Sequence, residues 1–84
     1  VDFMRSEGYI RLKADAEASS REIYAVYKLW CEDNALHALS ARSLAAFLNE
    51  NRREYDLEPT NNLYLPGGRR VRGYFGIEVL QRVS

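Results

Sequence analysis

Residues 19–33 read SSREIYAVYKLWCED, and they carry the clearest helix signal in the chain. Ser19 and Glu22 form the S-x-x-E pattern of a capping box, which satisfies free N–H groups at a helix start. Beyond this box, apolar side chains recur at steps of three and four residues and therefore share one helix face. The segment predicts a helix over residues 20–33 with a buried face made of Ile23, Val26, Tyr27 and Trp30.

A second helix is expected a few residues later. Ser40 is a suitable N-cap, and an apolar stripe follows it, so a helix is predicted over about residues 40–51. The stripe consists of Leu44, Phe47 and Leu48. Two helices joined by a short link are typical of a helix-turn-helix. We expect two leucines of the link, Leu36 and Leu39, to fill the junction.

The last third of the chain predicts a β-hairpin. Residues 59–62 (PTNN) indicate a loop, and the Gly67-Gly68 pair separates two β-prone runs. Gly73 and Gly76 indicate a bulge or a close backbone approach in the second run. Alternation along that run predicts two faces. One face holds Val71, Phe75, Ile77 and Val79, and the other holds Arg70, Arg72, Tyr74 and Glu78.

The N-terminal residues leave two interpretations open. Residues 1–7 are compatible with the end of a helix, while residues 9–14 alternate weakly, so that a short strand competes with continued helix. Because the chain begins with Val1 and not with Met, we expect it to be a piece of a longer polypeptide.

The order of these elements predicts the fold class. A helix, a helix-turn-helix and then a β-hairpin wing, all within 84 residues, indicate an α+β winged helix that forms a single domain over residues 1–84. Its expected core consists of Ile23, Val26, Tyr27, Trp30, Leu39, Leu44, Phe47, Leu48, Ile77 and Val79.

Charge and composition restrict the class of protein. The longest apolar run has about four residues, well short of the ~20 that a membrane helix needs. Twelve cations balance twelve anions, which excludes a histone-like polycation. The balance is uneven along the chain, because residues 67–84 hold four arginines and one glutamate. Arginine suits phosphate, since its planar guanidinium makes a two-point contact.

Catalytic chemistry has little support in the sequence. His37 has no partner imposed by spacing, and Cys31 lies near the end of an amphipathic helix, where a half-buried thiol is expected. A single cysteine and a single histidine exclude a disulfide framework and a zinc site made within the chain. No phosphate-binding loop of the G-x-x-x-x-G-K-[ST] type occurs. We expect no catalytic residue, no metal and no cofactor.

Two clusters favour nucleic-acid binding. On the second predicted helix, Arg42, Asn49 and Arg53 follow at helical spacing opposite the apolar stripe, where a recognition helix faces DNA. Arg42 suits a guanine edge or a phosphate, and Asn49 suits adenine. The second cluster is the predicted wing tip, residues 67–74 (GGRRVRGY). A solvated charged surface is the alternative in both cases. The expected DNA-binding residues are Ser40, Arg42, Asn49, Arg53, Arg69, Arg70, Arg72 and Tyr74.

Three segments of the chain resemble one known family. They are residues 23–32 (IYAVYKLWCE), 39–44 (LSARSL) and 70–77 (RVRGYFGI), of which the Y-x-x-Y-x-x-W-C and R-G-Y-x-G-I patterns are the most specific. From Phe3 to Leu80, the chain is similar to the C-terminal domain of the phage and plasmid primase–helicases. These are the poxvirus-type, superfamily 3 replication proteins.

The resemblance implies a winged-helix domain attached behind a hexameric helicase motor, with origin DNA as its partner. It places Arg42 at the start of the recognition helix and Arg70, Arg72 and Tyr74 in the wing. The resulting expectation is a non-enzymatic DNA-binding module that helps a primase–helicase engage the origin or template during DNA replication.

The expected partners are DNA and the parent helicase domain, with no membrane and no small-molecule substrate. The expected location is the cytoplasm of a bacterial or phage-infected cell. The alternative is a protein-interaction module that docks the helicase motor or a replication partner through exposed Tyr55, Tyr64 and Leu80.

Overall fold

The computed structural model describes residues 2–6, 8–64 and 68–81. A short 3-10 helix (Asp2–Arg5) is followed by strand β1 (Ile10–Ser19), helix α1 (Ser20–Asp33), helix α2 (Ala41–Glu50), strand β2 (Glu58–Tyr64) and strand β3 (Arg70–Val79). The three strands form one antiparallel sheet in the order β1-β3-β2. The α+β class and both helices are therefore confirmed.

The N-terminal region contains a strand and not a continued helix. Strand β1 extends well past the weak alternation of residues 9–14 and ends at Ser19, where α1 begins. Ser19 is buried, and its Oγ accepts the N–H of Glu22 at 3.1 Å while its hydroxyl donates to the Glu22 carboxylate at 3.0 Å. The predicted cap is confirmed, and it sets the point at which the chain leaves the sheet.

The core lies between the two helices and one face of the sheet. The 3-10 helix closes one end of it, because the Phe3 ring meets Tyr27 edge-on at 5.2 Å between centroids and lies 5.6 Å from Trp30. Burial of each large apolar side chain contributes about 1.5–3 kcal/mol. The largest fully buried side chains are Phe3, Ile23, Val26, Leu48 and Ile77.

The link between the helices is held by tyrosines and not by its leucines. Leu36 and Leu39 are 51% and 45% exposed, so the prediction that they fill the junction is wrong, as is the place of Leu39 in the core. Tyr27 Oη accepts the N–H of Leu39 at 3.0 Å, and Tyr24 Oη donates to the Leu39 carbonyl at 2.9 Å. Because the backbone of a short link needs hydrogen-bond partners, the phenols of α1 decide its path.

The polar segment predicted as a loop belongs to β2, so that prediction is wrong. β2 is an edge strand, which tolerates the missing N–H of Pro59. Its register slips between Thr60 and Leu63, and there the N–H of Asn62 donates to Thr60 Oγ1 at 3.1 Å. The predicted pairing of β2 with β3 is confirmed. The predicted hairpin turn at Gly67-Gly68 lies partly outside the described residues, because Gly67 is not among them.

The alternation predicted for β3 is broken at Gly76. Tyr74 is 4% exposed and Phe75 is 37% exposed, the reverse of the predicted faces. Gly76 has a φ of +97°, and a Cβ built on it would lie 2.5 Å from the carbonyl oxygen of Asp56. β1 and β3 also slip out of register at this point. Since a bulge shifts the pattern by one residue, Tyr74 and Ile77 both face the core.

Candidate nucleic-acid interface

Helix α2 presents one face to solvent. Leu44 and Leu48 are buried, while the opposite face carries small and polar side chains, which allow another molecule to approach the helix closely. Arg42 is exposed in the first turn of this face, as predicted. The exposed residues of α2 are Ala41, Arg42, Ser43, Ala46, Asn49 and Glu50.

Ser40 is the N-cap of α2, and capping occupies its hydroxyl. Ser40 Oγ accepts the N–H of Ser43 at 3.2 Å, and the Ser40 hydroxyl donates to Ser43 Oγ at 3.1 Å. A Ser or Thr cap of this kind contributes about 1 kcal/mol to stability. The side chain therefore has a structural role that uses the oxygen expected to contact DNA.

Arg53 does not lie on the recognition-helix face, so its predicted place in the helix is wrong. Helix α2 ends at Glu50, and Arg53 lies in the turn that follows. The end of this turn is closed by the N–H of Leu57, which donates to the Arg52 carbonyl at 2.8 Å. Arg53 is exposed, but the turn and not helical spacing sets its direction.

Tyr74 is a core residue, so the prediction that it lies on an exposed wing face is wrong. Its hydroxyl donates to Asn49 Oδ1 at 3.3 Å, which connects β3 to the last turn of α2. Burial raises the pKa of the Tyr74 phenol, so the hydroxyl remains a hydrogen-bond donor at neutral pH. Asn49 itself is exposed, and one acceptor position of its amide is used inside the protein.

The hairpin arginines lie exposed where β3 begins. Arg69, Arg70 and Arg72 are all exposed, and Arg70 pairs with Tyr64 across the hairpin. Because side chains alternate along a strand, Arg70 and Arg72 share the sheet face of Tyr74, the face on which the Tyr74 hydroxyl reaches Asn49 of α2. At ~3.3 Å per residue, Arg72 precedes Tyr74 by about 7 Å along the strand. The structure thus brings Asn49 and these two arginines to the same side of the sheet.

None of these arginines is neutralised by a neighbouring carboxylate. Within residues 2–6, 8–64 and 68–81, the one ion pair joins Lys13 and Asp15, at 3.8 Å and far along the chain from both clusters. The guanidinium groups of α2, the following turn and β3 are therefore available to an external anion.

Arg52 belongs with this surface, although sequence reasoning did not select it. Its Nη1 donates to the Asn49 carbonyl at 3.4 Å, at the end of α2. An open hollow of about 450 Å³ lies beside it, lined by Asn49, Glu50, Arg52 and Arg53. The adjacent arginines Arg52 and Arg53 were the available signal, but helical spacing favoured Arg53 alone.

Other candidate chemistry finds no support in the described part of the chain. His37 is exposed, and the Cys31 thiol is buried more deeply than expected. No group of three His, Cys, Asp or Glu side chains suited to a metal occurs among the described residues.

A mostly apolar groove of about 260 Å³ separates the start of α1 from α2, with Tyr24, Leu44 and Tyr74 in its lining.

The described helices include none that is long and apolar enough to cross a membrane. Comparison of the chain with protein-family models, with curated proteins and with solved structures found no match.

Proposed function

We propose that this chain is a DNA-binding module in which the hairpin arginines anchor the phosphate backbone. Arg69, Arg70 and Arg72 hold phosphates, and Arg42 in the first turn of α2 reaches a base edge or a further phosphate. Phosphate contacts position a protein on DNA, while contacts to base edges provide sequence preference. The module itself is not an enzyme.

The observation that carries the proposal is a set of exposed arginines without carboxylate partners. In the described residues, Arg42, Arg69, Arg70 and Arg72 have no acidic group within ion-pair distance, although the whole chain has equal numbers of cations and anions. Buried or paired charges would indicate a structural role. Exposed, unpaired arginines on adjoining elements are instead suited to a polyanion.

The order of the elements supports a winged-helix mode of binding. Helix α2 follows a short link after α1, and the β2–β3 hairpin comes next along the chain, which is the order expected of a helix-turn-helix with a wing. In this mode, α2 enters the major groove and the hairpin contacts the neighbouring backbone. The resemblance to the primase–helicases is the support for a role in DNA replication, with a helicase domain as the second partner.

Fluorescence anisotropy with a labelled 20-bp duplex and the matching single strand, each at two salt concentrations, tests the proposal. We expect non-specific dissociation constants of about 10⁻⁴–10⁻⁶ M for the duplex, weakening as salt rises. The double variant Arg70→Glu/Arg72→Glu should lower the affinity and reduce the salt slope by about two, one for each lost phosphate contact.

The matched control is Arg5→Glu/Arg11→Glu, which changes the net charge equally at exposed positions outside the proposed surface. An equal loss of affinity in both double variants would show that binding depends on net charge and not on contacts made by Arg70 and Arg72. Absence of salt-dependent binding at protein concentrations up to ~100 μM would refute DNA binding, because non-specific binding normally appears in that range.

Protein interaction is the second candidate, and the exposed apolar side chains favour it. Tyr64 is 69% exposed and Leu80 is 39% exposed, whereas Tyr55 packs partly against the core and is a weaker candidate. The same Arg70→Glu/Arg72→Glu variant separates the two functions. If it retains DNA affinity and loses association with a helicase domain, the interaction function is the correct one.

A further inference from the structure

The hydrogen bond between Tyr74 and Asn49 determines which part of the Asn49 amide is offered to a ligand. Tyr74 is 4% exposed, so its hydroxyl holds Asn49 Oδ1 toward the interior. The two ends of a planar amide diverge, so Nδ2 is directed away from this bond. Asn49 therefore presents its donor outward, while one of the two acceptor positions of Oδ1 is engaged by Tyr74.

The surroundings of Asn49 add further donors. The hollow beside it is lined by Arg52 and Arg53, whose guanidinium groups donate hydrogen bonds and accept none. Glu50 is the one acidic side chain in the lining. An amide N–H₂ flanked by two arginines suits a group that only accepts hydrogen bonds.

A neutral group that only accepts hydrogen bonds suits this position. The hollow lies at the C-terminal end of α2, where the last carbonyls carry partial negative charge, and the Glu50 carboxylate adds to it. Both groups offset part of the positive charge of Arg52 and Arg53, which weakens the attraction of this hollow for an anion. In the major groove, guanine presents two neutral acceptors, N7 and O6, whereas adenine presents an acceptor beside an N–H₂ donor.

We propose that Asn49, positioned by Tyr74, selects guanine with the help of Arg52 and Arg53, in place of the adenine expected for a free asparagine. This inference rests on the proposed DNA binding. Tyr74 acts as a positioning residue, because it touches Asn49 and not the base.

The experiment first selects preferred duplexes from a library with a randomised central region. Anisotropy then compares duplexes carrying guanine, adenine or 7-deazaguanine at the position whose preference Asn49→Ala removes. We expect the unmodified protein to bind guanine about fivefold or more tightly than adenine, the lower end for a specific base contact, and to lose most of that advantage with 7-deazaguanine.

Two variants separate the donor from its positioning. Asn49→Asp keeps the acceptor for Tyr74 but lacks the outward donor, so it should lose the guanine preference. Tyr74→Phe frees Oδ1, so adenine should gain relative to guanine. Asn61→Ala and Tyr64→Phe make comparable changes at exposed positions and should leave the base preference unchanged. Thermal melts establish that each variant is folded at the assay temperature.

Three outcomes would overturn the inference. The first is a preferred base other than guanine, and the second is a guanine preference that survives Asn49→Asp. The third is a uniform loss of affinity across all sequences in Asn49→Ala, which would identify a phosphate contact. Duplex binding with no base preference refutes this inference and leaves the proposed function intact. Absence of any salt-dependent DNA binding refutes both.

Discussion

Gly76→Ala is a sharp test of the packing that supports the arginine surface. A Cβ at this position would lie 2.5 Å from the Asp56 carbonyl oxygen, about 0.9 Å closer than the 3.4 Å of an ordinary contact. The Cβ is fixed by the backbone of residue 76 and the oxygen belongs to the backbone of Asp56, so neither atom can rotate away from the other. Asp56 ends the turn that carries Arg52 and Arg53, and the variant would disturb this turn as well as β3.

Two costs add up in this variant. Holding a non-glycine residue at the Gly76 φ of +97° costs about 1–2 kcal/mol. Moving a packed backbone segment costs about 1–3 kcal/mol. The substitution also reduces the conformational entropy of the unfolded chain, which offsets about 0.4–1 kcal/mol of this loss of stability. We therefore expect the free energy of unfolding to fall by about 2–4 kcal/mol, which lowers Tm by about 10–25 °C in a domain of this size.

Gly8→Ala is the matched control. Gly8 also has a positive φ, +85°, but no described atom within 4 Å would meet its Cβ. Its substitution should cost about 1 kcal/mol or less, because only the backbone term remains. Urea and thermal unfolding followed by circular dichroism measure both variants. Equal losses of stability in Gly76→Ala and Gly8→Ala would refute the role assigned to the Asp56 contact.

Three further predictions concern the link and the N-terminal strand. Tyr9 Oη donates to the Asp33 carboxylate at 2.6 Å, and this bond raises the pKa of Tyr9. The stabilisation from this bond is complete below the ordinary tyrosine pKa of about 10 and is lost as pH rises above it. In urea titrations at alkaline pH, Tyr9→Phe should therefore lose less stability with rising pH than the unmodified protein. Parallel curves would contradict this. Ala35 directly follows the C-cap residue of α1 and has a φ of +53°. Ala35→Gly should therefore raise the free energy of unfolding by about 0.5–1 kcal/mol in urea titrations, and a decrease would show that the residue is not strained. Leu36→Ser/Leu39→Ser should change the free energy of unfolding by less than about 1 kcal/mol. A loss of several kcal/mol would mean that these leucines are buried after all.

Local patterns were sufficient for the two helices. The Ser19 and Ser40 caps and the three- and four-residue apolar spacing are properties of adjacent residues, and both helices lie where these patterns predict. The exposure of Arg42, Arg69, Arg70 and Arg72 was also predictable, since long charged side chains without a partner remain in water. The α+β class followed from the same information.

Errors arose where a distant contact overrode a local pattern. Period-two alternation placed Tyr74 outward, but the bulge at Gly76 reverses the order of faces. The apolar character of Leu36 and Leu39 suggested burial, yet hydrogen bonds from α1 to the link backbone leave both side chains exposed. Alternation and hydropathy describe neighbours in sequence, and neither contains the position of a segment that packs from elsewhere.

The amino-acid sequence by itself determined the caps, the helix limits, the β-prone runs and the uneven placement of arginine. Only the tertiary structure decided that Tyr74 is buried, that its hydroxyl holds Asn49, and that Arg52 and Arg53 flank that amide beyond the end of α2. The physical reason is the range of the interactions. Caps and helix faces depend on residues three or four positions apart, whereas the Tyr74–Asn49 bond joins residues 25 positions apart and exists only once β3 has packed against α2.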